Sequence, residues 1–206
     1  MNLSVQNDPR QVMRALYSAV VVSADPKKLM NRSLIPDQPD GRTVVIGAGK
    51  AAASMANALE ACYPEPLSGV VLTPYGHAKT CSGIEVLEAA HPIPDAAGLR
   101  TANRILEIAL SLDEGDLMLC LLSGGGSSLL TLPVEDLSLT EKQQINRQLL
   151  ECGADISQIN CVRKHLSRIK GGRLAEAAWP GNTLTLMISD VPDNDPTVIA
   201  SGPTVA

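Results

Sequence analysis

Apolar residues along this chain recur with two periods, and the alternation between them predicts its elements. Behind Asp8-Pro9, an N-cap followed by a first-turn proline, Val12, Leu16, Ala19 and Val20 lie at helical spacing and predict a helix to about Ser23. The polar stretch Ile35 to Arg42, "IPDQPDGR", reads as a connection. Thr43 to Ile46 is a short β-branched run that predicts a strand, and the Ala-rich segment to about Cys62 predicts a helix after it. Ser68 to Thr73 and Ile84 to Leu87 read as further strands. In "HPIPD" the prolines predict an extended loop, Asp95 caps, and Ala102, Ile105, Leu106 and Ala109 form one apolar helical face. Asp116 to Leu122 is an almost unbroken apolar run, the pattern of a central parallel strand covered on both faces. Thr140 with Gln143 predicts a capping box for a helix ending near Gly153. A helix over Ile156 to Ile169, a "KGGR" turn, a short helical piece and the strand "TLTLMIS" complete the series.

Strands alternating with helices in this order predict a three-layer α/β/α, doubly wound, Rossmann-like fold with a mostly parallel sheet. In such sheets ligands sit beyond the carboxyl ends of the strands. Three strand ends carry polar or glycine-rich loops: Gly47 to Lys50, Ser123 to Ser128 and Ser189 to Asp195. These are the candidate chemistry.

Composition narrows the classes. With 206 residues, 45% hydrophobic and 19% charged, the chain has the balance of a folded domain with a real core. A net charge of -5 without a basic block argues against nucleic acid, and 2% aromatics leave few platforms for stacked bases. No apolar run approaches a membrane span, and "MNLSVQNDPRQ" lacks the regions of a signal peptide, so the expected location is cytoplasmic. The odd number of cysteines, five, and the absence of C-x-x-C indicate neither a disulfide framework nor a zinc knuckle; Cys120 reads as a small core residue.

The motif "GAGKAA" admits two readings. Gly47, Gly49 and Ala52 fit G-x-G-x-x-A, yet the acid that a dinucleotide site wants at the end of the second strand is replaced by Thr73 and Pro74. Lys50 instead places a cation at the mouth of the turn, which suits a reacting phosphoryl group or a carboxylate. A tight turn with a solvent lysine is the alternative. In "LLSGGGSSLL", Gly124, Gly125 and Gly126 imply close approach or positive φ. Ser123, Ser127 and Ser128 add hydroxyls, so the loop is a candidate phosphate nest. Asp190, Asp193 and Asp195 follow a strand and suit Mg²⁺ held together with phosphates, or are ordinary turn residues. His91 and Asp95 could orient a small hydroxy acid, while His77 and His165 receive no role. Arg163, Lys164, Arg168, Lys170 and Arg173 read as a solvated basic face of one helix and turn, from which one or two could reach a carboxylate or phosphate.

Five motifs, "VVIGAGKAAASMA", "HPIPDAAG", "LLSGGGSSLL", "RKHLSRIKGGRLA" and "ISDVPDNDPTVIASGPT", in this order resemble the glycerate 2-kinase family. Its members carry a MOFRL domain in their C-terminal half and long went under the name of hydroxypyruvate reductases. The resemblance runs from about Arg10 to Thr204. It implies transfer of the γ-phosphoryl group of ATP, with Mg²⁺ or another divalent cation, to the 2-hydroxyl of D-glycerate. It implies a catalytic role for Lys50. Joined to the reading of the motifs, the expected site has Gly47, Gly49 and residues 123–128 binding phosphate, Asp190 and Asp193 holding the metal, and His91 and Asp95 binding the small-molecule substrate.

Family members are about twice as long. The expected organisation is one N-terminal α/β domain over residues 1–206, with residues 1–35 a helical segment and the MOFRL-containing domain absent. Such a chain is expected to be inactive and associated by itself, as a homo-oligomer or paired with a C-terminal half. Two other classes stay open: an NAD(P)H-dependent hydroxypyruvate reductase, and an inactive domain that binds a small acid or pairs with another subunit.

Overall fold

The computed structural model describes residues 8–36 and 39–206. Residues 1–7 of the helical segment, and Asp37 and Gln38 of the polar connection, lie outside the described residues. Five strands, β1 (Thr43–Ala48), β2 (Ser68–Pro74), β3 (Ile84–Ala89), β4 (Leu117–Ser123) and β5 (Asn182–Ile188), form one sheet in the order β3-β2-β1-β4-β5. Every pairing is parallel. All seven residues of β4 are buried, as its unbroken apolar run requires of a strand with helices on both faces. Arg42 ties the starts of β1 and β4 together: its N–H and its Nε each donate to the Asp116 carboxylate at 2.9 Å.

Successive strand residues point to opposite faces, and two cores result. Ile46, Leu72, Met118, Cys120 and Leu122 pack on one face with α4 (Ala96–Leu110), α5 (Gly126–Leu129) and α8 (Arg173–Ala178). Val45, Val71, Leu119 and Leu121 pack on the other with α3 (Ala52–Cys62). Small residues let α3 lie close to the sheet, where Ala52, Ala53 and Ala56 are fully buried. Cys120 is a core residue, and burial pushes its thiol up to about 12. The result is a three-layer α/β/α sandwich.

Several local expectations are corrected. The helix α1 (Pro9–Ser23) is capped by Asp8 but buries none of its residues, and Met13, Leu16, Tyr17 and Val20 stand exposed along one stripe. Helical periodicity reports an amphipathic face, not what covers it. The helix α6 (Leu139–Glu151) has its capping box two residues earlier than Thr140 and Gln143: Ser138 accepts from the Glu141 N–H, and the Glu141 carboxylate accepts from the Ser138 N–H. Gln143 is free to reach elsewhere and donates to Pro94 O at 2.7 Å. The helix α7 (Ile156–His165) stops before Ile169, because Ser167 bridges Pro133 and the Arg168 N–H donates to Leu132 O. A short α2 (Pro26–Leu29) packs on α3.

Candidate active site

In this strand order the chain leaves β1 in one direction and β4 lies on its other side, so a crevice opens between their carboxyl ends. The "GAGK" turn and the "SGGGSS" loop meet there. The Lys50 N–H donates to Gly124 O at 2.8 Å, and the Ala51 N–H donates to Ser123 Oγ at 3.0 Å. On the other side the Gly49 N–H donates to Leu72 O and its carbonyl accepts from Thr73 Oγ1. Thr73, where a dinucleotide site would place an acid, therefore braces the turn.

The glycines of the loop are required by what crosses them. Gly125 has φ +84, and a Cβ there would lie 2.7 Å from His91 Nε2 and 3.5 Å from Lys50 Cε. A Cβ on Gly124 would lie 2.2 Å from Asp190 Oδ2. Lys50, His91 and Asp190, from three separate loops, thus converge on two adjacent glycines. Lys50 is exposed, and among the described residues its ammonium has no ion pair or hydrogen bond. Burial, then the charges of Lys50 and His77, hold the His91 imidazole below its usual range, so it is neutral near pH 7.

The remaining expected residues divide. Gly47 lies inside β1 and Gly49 at its turn. The three serine hydroxyls are engaged within the protein: Ser123 with Ala51, Ser127 with Ser201 at 2.7 Å, and Ser128 with Gly125 O at 3.1 Å. The N–H groups of residues 124–127 have no hydrogen-bond partner among the described residues; Gly124, Gly125 and Ser127 are partly exposed, whereas Gly126 is buried. Asp95 is committed to structure. Its carboxylate accepts from the Gly98 N–H at the start of α4 and from the Tyr75 hydroxyl at 2.8 Å. Burial raises its pKa, but these bonds outweigh burial and hold it below the usual range. Asp193 is exposed in the loop after β5, with φ +62. Among the described residues no group of three or more His, Cys, Asp or Glu side chains gathers as a metal site.

Beside this crevice lies a cavity of about 430 Å³, with His91 and Gly125 in its wall. Its floor is cationic. Lys142 of α6 and Lys170 of the "KGGR" turn are 3% and 1% exposed, with Arg163 of α7 half-buried beside them. Lys170 Nζ donates to Ser127 O at 2.7 Å and Leu130 O at 2.8 Å, which fixes the far end of the glycine loop from below. Arg163 and Lys170 are therefore not part of a solvated basic face. The chain turns back at Ser167, and the two glycines of positive φ after Lys170 fold the turn inward.

With this geometry in place, comparison with known proteins is direct. The family described as "Domain of unknown function (DUF4147)" matches residues 12–206. The chain belongs to the DUF4147 family. An Agrobacterium vitis protein named as a hydroxypyruvate reductase is 53% identical over 198 residues, which cover 96% of this chain and 45% of that protein. The Thermotoga maritima D-glycerate 2-kinase is 47% identical over 164 residues, covering 79% of this chain and 39% of the kinase. The crystal structure of glycerate kinase from Thermotoga maritima superimposes with a TM-score of 0.84 at 40% identity, over 95% of this chain and 48% of that one. This DUF4147 chain spans less than half the length of these relatives.

Lys142 is the functional candidate that sequence reasoning missed, and a signal for it existed. It shares a helical face with Ile145 and Leu149, so a lysine stands where the stripe calls for an apolar residue.

Proposed function

We propose that this DUF4147 chain is the N-terminal domain of a glycerate 2-kinase, which transfers the γ-phosphoryl group of ATP to the 2-hydroxyl of D-glycerate. The observation that carries the reading is the convergence of Lys50, His91 and Asp190 on Gly124 and Gly125. A phosphoryl transfer needs positioning and charge stabilisation more than covalent help, and these parts supply both. The N–H groups of the partly exposed Gly124, Gly125 and Ser127 receive phosphate oxygens. The unpaired Lys50 ammonium stabilises the charge on the phosphoryl group as its bond to the leaving oxygen breaks and the bond to the glycerate oxygen forms. Neutral His91 offers a ring-nitrogen acceptor to the glycerate hydroxyl and so orients it. Asp190, lying against Gly124, is positioned beside the phosphates, and Asp193 follows in the same loop. Asp190 and Asp193 are the residues that would hold Mg²⁺, with phosphate oxygens and water completing its oxygen shell. Bound there, Mg²⁺ would neutralise charge along the phosphate chain.

In this reading the rest of the longer relatives supplies the second wall of the cleft, and the chain acts by pairing with it. The proposed location is cytoplasmic; no helix among the described residues is long and apolar enough to cross a membrane. The names of relatives also support ATP rather than NAD(P)H, since kinases and kinase structures recur among them at 37–47% identity. The test is a coupled assay of glycerate phosphorylation with ATP and Mg²⁺. It is run on the 206-residue chain alone and mixed with the remaining half of the Thermotoga kinase. Turnover is expected in the mixture and not in the chain alone. Oxidation of NADH by hydroxypyruvate without ATP consumption would overturn the kinase reading.

A further inference from the structure

The cavity beside the glycine loop poses a physical problem that the kinase reading does not solve. Burying an unpaired ammonium is costly, and like charges placed together raise the cost. Yet Lys142, Lys170 and Arg163 share one cavity wall, and no Asp or Glu lines the cavity anywhere. Lys142 Nζ donates only to Leu166 O at 3.2 Å, and Arg163 Nε only to Asn146 Oδ1 at 3.1 Å. The terminal nitrogens of Arg163 have no partner among the described residues. Arg147 adds a further cation at the exposed rim. Pro92, Ile93 and Leu150 add apolar surface to the lining.

We propose that this cavity is a binding site for a phosphoryl group carried on a small organic body, with Lys142 and Arg163 holding the phosphate and the apolar lining covering the remainder. A carboxylate brings one charge and two oxygens. A phosphate monoester brings close to two charges and three acceptor oxygens, which matches a cluster of several cations with unclaimed donors. The cavity volume exceeds what a bare anion fills, and the apolar lining has use only if the anion carries carbon. Electrostatics agree with a site for an anion. Burial, then Arg163, pushes Lys142 down to about 8, while burial, then Lys142 and Arg163, holds Lys170 well below the lysine range. Two sources share this chemistry: the phosphate chain of a nucleotide and a phosphorylated small acid. The inference does not rest on the kinase reading, because it uses neither Lys50 nor any turnover.

The experiment is a titration of the 206-residue chain with pyrophosphate, ADP, 2-phosphoglycerate and glycerate, without divalent cation, followed by calorimetry and by thermal unfolding. Saturable binding of the phosphorylated ligands is expected, with glycerate weaker by tenfold or more. Whichever of ADP and 2-phosphoglycerate binds tighter than pyrophosphate identifies the source. Lys142→Met should weaken phosphate binding at least tenfold, and Arg163→Gln should do the same. Lys142→Met removes an unpaired buried charge, so it is expected to fold at least as well as the wild type, which unfolding without ligand checks directly. Lys28→Met, which removes an exposed cation outside both the cavity and the glycine loop, should retain pyrophosphate binding within about threefold. Loss of binding in Lys50→Met with retention in Lys142→Met would place the anion on the glycine loop and overturn the proposal. Equal affinity for glycerate and 2-phosphoglycerate would overturn it as well. A chain that binds as expected but never phosphorylates glycerate would leave this site standing and remove the kinase reading alone.

Discussion

Lys50 and Lys142 are the same residue type on opposite sides of His91 and Gly125, and their surroundings could hardly differ more. Lys50 stands exposed at the mouth of a tight turn, where its charge is solvated and available. Lys142 is 3% exposed, faces Arg163, and sees no carboxylate in its cavity. An exposed cation costs little to keep and acts when a ligand arrives. A buried one destabilises the free protein and is tolerated where a ligand supplies the missing charge. Under the two proposals, the contrast separates a group that would act in transfer from one that would act in binding.

The largest expected effect lies on the exposed side. Lys50→Met in a complete kinase should lower kcat by on the order of a hundredfold or more, the size typical of losing one preorganised electrostatic group. Its thermal stability should be unchanged, since the side chain packs against little. Wild-type kcat in that variant would make Lys50 a solvent residue and erase the contrast.

The buried side should reveal itself through pH. The folded pKa of Lys142, about 8, lies below its usual 10.5, so the unfolded chain binds more protons between those values and stability rises with pH across that window. Relative to Lys142→Met, the wild type should gain about 3 kcal/mol between pH 8 and 10.5, at roughly 1.4 kcal/mol per pKa unit. Denaturant unfolding of both proteins at several pH values measures this difference. A flat difference would mean that an unseen partner neutralises Lys142.

Gly125→Ala probes the wall that the two regions share. Positive φ with a Cβ costs about 1–2 kcal/mol, and the new methyl would displace His91. Activity and pyrophosphate binding should fall together, whereas loss of only one would show that the regions are independent. The smallest effect is expected from Ser138→Ala, which removes half of the capping box of α6 and about 1 kcal/mol of stability. It should loosen the helix that carries Lys142 and weaken anion binding a fewfold, without touching the Lys50 turn.

Much of this molecule was legible before folding. The β4 run "DLMLCLL" announced a doubly covered central strand, and the Asp95 cap and the apolar face of α4 were in place as read. Lys50, the glycine loop and Asp190 were legible as candidates because each follows a strand, and strand ends in a parallel sheet meet on one edge. The capping box of α6 was misplaced by two residues, since Ser138–Glu141 and Thr140–Gln143 satisfy the same spacing rule. Asp95 was read both as a cap and as a candidate ligand, and its carboxylate caps α4.

Local patterns, 3.6- and 2-residue periods, cap residues and glycine turns, are properties of neighbouring residues, so the sequence alone determined the order and type of most elements and which loops share an edge. Burial is a property of what arrives from elsewhere in the chain. Nothing in "RKHLSRIKGGR" says that the chain will turn back at Ser167 and drive Lys170 beneath the glycine loop while Arg168 and Lys164 stay partly outside. Nothing near Lys142 says that Arg163 will face it. Nor does the stripe of α1 say that it will remain uncovered. Those outcomes required distant segments to meet, and only the tertiary structure decided them.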